Sequence, residues 1–152
     1  MDLELIKQAA IFADLTDDEI SHIAEICKEQ VFKSAKTIFK EGEPGNRLYI
    51  IAEGEVRISR DVPGSGEEAL TVLKKGACFG EMSVFDRSER STDAIANKDC
   101  TLLTITRSDF EIMLDFNRDI AYKILWSVVR LLSERLRVTN DNLRSFLAMS
   151  MF

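Results

Sequence analysis

The residues most able to do chemistry lie between Phe79 and Ala96, in the run FGEMSVFDRSERSTDAIA. Gly80 carries no side chain, so backbone there can approach a ligand closely. The segment Glu81 to Phe85 can make one short helical turn, whose free N–H groups suit an anion. Nine residues beyond Glu81 stands Arg90, whose planar fork matches a pair of phosphate oxygens, and the hydroxyls of Ser91 and Thr92 follow it. Glu81 repels a phosphate, but its carboxylate is a good acceptor for a sugar hydroxyl. Cation, hydroxyls and carboxylate together read as a site for a phosphate esterified to a ribose.

Such a loop needs a frame, and the flanking sequence predicts one. Residues 1–27 read as a helical segment, with apolar positions at Leu3, Ile6 and Ala10 and again at Ile20, Ile23, Ala24 and Cys27. Thr16-Asp17-Asp18-Glu19 fits a capping box, so a helix should restart at Asp17. From residue 28 to 107 the pattern changes to short β-branched and aromatic runs: Val31–Lys33, Thr37–Phe39, Leu48–Ile51, Val56–Ile58, Leu70–Leu73, Thr92–Ala96 and Cys100–Thr106. Turn signals at residues 41–46, 53–55, 63–66 and 75–76 separate them, which predicts a mainly β fold, a jelly-roll barrel with flanking helices. Strand alternation puts Val56 and Ile58 on one face and Leu70 and Val72 on another.

Residues 108–152 return to helix. Ser108-Asp109-Phe110-Glu111 fits a second capping box opening a helix to about Phe116, and Asn117 is placed to cap the next. That helix carries Ile120, Ile124, Leu125, Val128, Leu131, Leu132 and Leu136 at spacings of three and four. From Ile120 to Arg137 it spans about 27 Å at roughly 1.5 Å per residue, too long a stripe for one small barrel to cover. A partner helix is expected, most simply that of a second copy in a homodimer.

The cassette at residues 79–96 resembles the phosphate-binding cassette of cyclic nucleotide-binding domains, where Phe-Gly-Glu is followed by Ala-Leu and later by Pro-Arg-Ala-Ala. The glycine and strand framework from Gly42 through Gly76 is similar to the family's, and the likeness covers most of residues 11–110. The Glu-to-Arg spacing matches protein kinase A regulatory subunits and cyclic nucleotide-gated channels, and is one residue shorter than in bacterial catabolite activators. The resemblance implies that Glu81 takes the ribose 2′-OH and Arg90 the cyclic phosphate, with the N–H groups of Met82 and Ser83 assisting. It further implies that Ile58, Leu70 and Thr71 line the nucleotide. Arg135 to Asn140, followed by Leu143, Phe146 and Leu147, resembles the dimerisation helix and hinge of catabolite activators. By that likeness Arg135 lies near Glu81, Thr139 reads the base in its own subunit and Asn140 the base in its neighbour. Two departures stand out: Glu89 replaces the usual Pro, putting a carboxylate beside Arg90, and Ser83 replaces the usual Ala.

The implied function is a non-enzymatic regulatory module that binds cAMP, or alternatively cGMP, and signals through its C-terminal helix to an effector the sequence does not name. Two further readings stay open: a non-binding interaction module, and the sensor half of a transcription regulator whose DNA-reading domain lies elsewhere. A net charge of −6 over 152 residues argues against direct nucleic-acid binding. No apolar run reaches the roughly 20 residues that span a bilayer, and no signal peptide opens the chain, so a cytoplasmic protein without a membrane partner is expected. Cys27, Cys78 and Cys100 are spaced for neither a disulfide framework nor a cluster, and His22 is the only histidine. No metal is expected.

Overall fold

A computed structural model describes residues 1–151. Two four-stranded antiparallel sheets form a jelly-roll barrel, with helices packed on one side. One sheet has the order β1 (Lys28–Phe32), β8 (Cys100–Thr106), β3 (Arg47–Glu53), β6 (Cys78–Phe79). The other has the order β2 (Thr37–Phe39), β7 (Asp93–Ala96), β4 (Val56–Val62), β5 (Gly66–Leu73).

The first sheet is covered on both faces, which explains why its central strands read as unbroken apolar runs. Leu48 and Ile50 of β3, with Leu103 and Ile105 of β8, pack under the helices. Their neighbours Tyr49, Ile51 and Leu102 point into the barrel, onto Phe39, Val56, Phe79 and Ala94. Outside lie α1 (Leu3–Gln8), a 3-10 turn at Ala10–Phe12, α2 (Asp17–Ile26), α4 (Arg107–Phe116) and the root of α5 (Arg118–Ser150). Phe12 and Phe110 meet edge-on there, 6.4 Å between ring centres.

Helix starts show where side-chain pattern and backbone agree. The Thr16–Glu19 capping box forms as expected, with both reciprocal hydrogen bonds. The second box does not: Thr106 is the N-cap of α4, its hydroxyl accepting from the Asp109 N–H at 3.2 Å. A cap needs extended backbone, and β8 supplies it at Thr106, leaving Ser108 already inside the helix. Asn117 stands before α5 without capping it by its side chain; its amide instead donates to the Met113 carbonyl at 2.9 Å, closing α4.

Helix α5 runs unbroken for 33 residues, about 50 Å at ~1.5 Å per residue. Only Ile120, Ile124 and Ser127 are buried, and every residue from Leu132 to Ser150 is exposed. Tyr122, Leu125, Val129, Leu132, Leu136, Leu143 and Phe146 are exposed along it, and with Thr139 they alternate by three and four residues. That is the heptad period of a coiled-coil seam. Among the described residues no helix is long and apolar enough to cross a membrane.

Candidate functional site: an unpaired arginine beside a buried glutamate

Short helix α3 (Glu81–Asp86) begins where β6 ends. Gly80 is its N-cap with φ 75°, in the left-handed region that favours glycine, and a Cβ there would come within 2.7 Å of Arg90 Nη1. The tight start brings Glu81 and Ser83 inside, at 8% and 5% exposure, while Met82 stays open to solvent. Gly45, in the turn before β3, packs so close that a Cβ would lie 2.1 Å from that of Ser83.

Arg90 enters from the loop between α3 and β7. Backbone bonds from Arg90 N to Glu43 O (2.8 Å) and from Gly42 N to Arg90 O (2.9 Å) fix it against the turn after β2. The residue is only 5% exposed. Nη1 donates to Gly80 O at 2.7 Å and Nη2 to Arg47 O at 2.6 Å. The guanidinium carbon sits 4.2 Å from the centre of the Phe39 ring, which joins Tyr49 and Phe79 in an aromatic floor. Among the described residues Arg90 has no carboxylate in ion-pair range, and its buried Nε has no partner. Burial pulls its pKa below the ordinary guanidinium value, and the nearby Arg107 cation adds to this. A buried cation held by neutral carbonyls and ring faces alone lacks its counter-ion.

Arg107, the first residue of α4, strengthens the same frame from behind. Its Nη2 donates to the carbonyls of Gly45 and, at 3.0 Å, Ser83, tying α3 to the turn before β3. No signal in the sequence marks this residue, because its partners meet it only in space. At the other end, Arg135 of α5 reaches across to Glu81, Nη2 to Oε1 3.1 Å.

These groups surround a cavity of about 290 Å³, near the lower end for ligand sites. Gly80, Glu81, Met82, Ser83, Arg90, Ser91, Thr92, Ile58, Thr71 and Arg135 line it, joined by Phe39, Leu73, Cys78 and Phe79, which were not expected there. Leu70 does not line it and is 56% exposed. The register explains the correction. Thr71 pairs with Ile58 and Leu73 with Val56 in unbroken register, so alternation points Thr71 and Leu73 inward and turns Leu70 outward, where a bulge against Ile58 and Ser59 also leaves it unpaired. Thr139 and Asn140 also lie outside the cavity, on the exposed length of α5, where Thr139 Oγ1 donates to Arg135 O at 2.8 Å. Glu89 is exposed, its backbone bridged to Pro44, and it makes no ion pair with Arg90. Among the described residues no cluster of His, Cys, Asp and Glu is arranged to hold a metal ion.

A barrel that aims one short helix, one glutamate and one uncompensated arginine into a single cavity defines a domain for a phosphorylated sugar ligand. The cyclic nucleotide-binding domain profile matches residues 29–117, and the chain belongs to that family. It is 33% identical over 140 residues to a CRP-like cAMP-activated global transcriptional regulator of Mycobacterium tuberculosis, covering 92% of this chain and 61% of the relative. It is 35% identical over 105 residues to the cyclic AMP receptor protein of Thermus thermophilus, covering 69% of this chain and 49% of the relative. The chain thus spans less than two thirds of the length of either. The N-terminal domain of a transcriptional regulator from Streptomyces coelicolor superposes with a TM-score of 0.80 at 31% identity, covering 91% of this chain and 94% of that one.

Proposed function

We propose that this chain is a non-enzymatic cyclic nucleotide sensor that takes cAMP in preference to cGMP, works in the cytoplasm and passes its signal through α5. The observation that carries the reading is Arg90, buried at 5% exposure with no carboxylate partner, facing the same cavity as Glu81. A cyclic phosphate supplies the missing negative charge in a shielded place, where a charge-assisted fork is strongest. Glu81, with Arg135 already on one oxygen, keeps acceptor capacity for a ribose hydroxyl. Met82 and Ser83 stand in the first turn of α3, where backbone N–H groups lack helical acceptors. The preference for cAMP draws on the relatives named for it.

The heptad stripe of α5 supports the proposal of a parallel homodimer in which Thr139 and Asn140 serve the site. With Leu125 and Leu132 at d positions and Val129 and Leu136 at a, Thr139 is a d residue in the seam, Arg135 a g residue and Asn140 an e residue. In a parallel two-stranded coil a g residue faces the e residue five positions on in the partner. Arg135 contacts Glu81, so in the proposed dimer this pairing would bring the neighbour's Asn140 towards the same cavity. The working division is then an N-terminal helical brace (1–27), a barrel with its cassette (28–107) and a C-terminal lid and dimer arm (108–152). The arm would deliver its signal to a separate effector or to further sequence of a longer regulator.

Isothermal titration of nucleotide-free protein with cAMP and cGMP tests this. Saturable binding with cAMP the tighter is expected. Heat-silent titrations with both at millimolar ligand would overturn the reading and favour a module in which Arg135 on Glu81 has replaced the nucleotide.

A further inference from the structure

On the helical side of the barrel, remote in sequence from the cassette, α2, the end of α4 and the start of α5 enclose two adjoining hollows of about 450 and 250 Å³. They share His22, Phe116 and Asn117. Phe116 is 83% exposed and Ile112 54%. Both sit among carboxylates. Asp18, Glu25, Asp109 and Asp119 line the hollows and enter none of the ion pairs among the described residues. Glu19 is taken by Lys123 at 2.6 Å, which leaves Arg118 as the one lysine or arginine at the rim.

We infer that this face is a docking site for a basic, apolar protein segment, whose bulky side chains cover Phe116 and Ile112 while lysines or arginines meet the surrounding carboxylates. Charge complementarity selects this occupant. Nucleic acid and anionic lipid would meet four unpaired carboxylates, and the chain's net charge of −6 would oppose their approach. A second copy using the same patch about a twofold axis would set carboxylate against carboxylate. A cationic segment is drawn in by the same field, and an apolar anchor ringed by polar groups is the usual form of a binding hot spot. The hollows also straddle Asn117, where α4 hands over to α5. An occupant therefore touches the root of the helix that carries Arg135.

A 14-residue amphipathic peptide of leucine and lysine, labelled for fluorescence anisotropy, is the probe, with a leucine–glutamate peptide as its counterpart. Saturable binding of the lysine peptide alone is expected. It should weaken at least about tenfold, ~1.4 kcal/mol, in Phe116→Ser/Ile112→Ser and in Asp18→Lys/Glu25→Lys, and hold in the control Asp61→Lys/Glu68→Lys on the distant β4–β5 hairpin. Unchanged melting temperatures show that the variants remain folded. The inference fails if neither peptide binds, if both bind alike, or if the hairpin control loses as much as the patch variants. It also fails if Phe116→Ser dissociates a dimer in sedimentation, since the patch would then join copies of this chain.

Discussion

Replacing Arg90 by methionine removes the guanidinium while keeping an apolar stem against Phe39, whose ring centre lies 4.2 Å from the guanidinium carbon. Two effects on the unliganded protein oppose each other. The bonds to the Gly80 and Arg47 carbonyls are lost, each worth about 1.5 to 3 kcal/mol because the donor is charged. A buried cation without a counter-ion is also lost, which relieves a penalty of several kcal/mol. The net change in folding stability should therefore stay within about 2 kcal/mol. Binding has no such compensation, because the ligand's phosphate would enter the same low-polarity pocket with no cation to meet it. A loss of about 2 to 5 kcal/mol follows for one member of a buried charge pair, or roughly 30-fold to several thousand-fold in Kd. Arg90→Lys keeps the charge but not the fork and should fall between. Calorimetric titration with cAMP reads the affinity, and differential scanning calorimetry reads the stability of the same samples. Unchanged affinity in Arg90→Met, or a loss matched by unfolding at the titration temperature, would refute the reasoning.

Gly45→Ala should push α3 away from the turn before β3, because the new Cβ would lie 2.1 Å from Ser83 Cβ; urea unfolding should show a loss of about 1 to 3 kcal/mol, with weaker nucleotide binding. The root of α5 should be sensitive to acid. Hydrogen bonds from Arg130 and then Ser127 hold the Asp14 carboxyl below its ordinary value. A carboxylate lowered in the folded state stabilises above its unfolded pKa, about 3.9, and that contribution is lost as pH falls through the folded pKa. Asp14→Asn should accordingly flatten the stability–pH curve below about pH 4, a small effect that added salt reduces, followed by urea midpoints. Leu136→Lys places a charge on each helix of the proposed seam, and sedimentation equilibrium should show dimer affinity reduced at least about tenfold.

Where side-chain periodicity decides the backbone, the sequence was legible. The Thr16 box, the three-residue β2 and the seven-residue β8 follow from local pattern alone. So did most of the cavity lining in the cassette, because Gly80, Glu81 and Arg90 are neighbours in one loop. Failures occurred where one residue of register mattered. Leu70 and Thr71 are neighbours on one strand and cannot both face the cavity, so with Thr71 inward the alternation brings in Leu73 and turns Leu70 out. Thr106 displaced Ser108 as the α4 cap because β8 keeps extended backbone right to the helix, which side-chain type does not encode. Arg107 belongs to a further class. Its role depends on carbonyls of Gly45 and Ser83, remote in sequence, converging on one guanidinium. Backbone acceptors carry no residue signature.

The Glu81–Arg135 pair raises the question of what holds α5 over the site. Arg135 is 56% exposed and Glu81 11% as side chains, so solvent screens the pair and its worth stays within about 1 kcal/mol. One weak bond does not fix a helix whose residues from Leu132 to Ser150 are all exposed. On the proposed reading the partner helix sets the position of α5, and the ligand biases it only by as much as it binds one arrangement better than another. Arg135 is the residue through which that bias would pass, since it alone joins α5 to the cassette by an ion pair among the described residues. Arg135→Ala should then leave the dimer intact and weaken cAMP by no more than about tenfold, but it should abolish the cAMP-induced change in hydrogen exchange along residues 132–150. Retention of that change in the variant would place the coupling elsewhere, in α4 and its junction with α5 at Asn117.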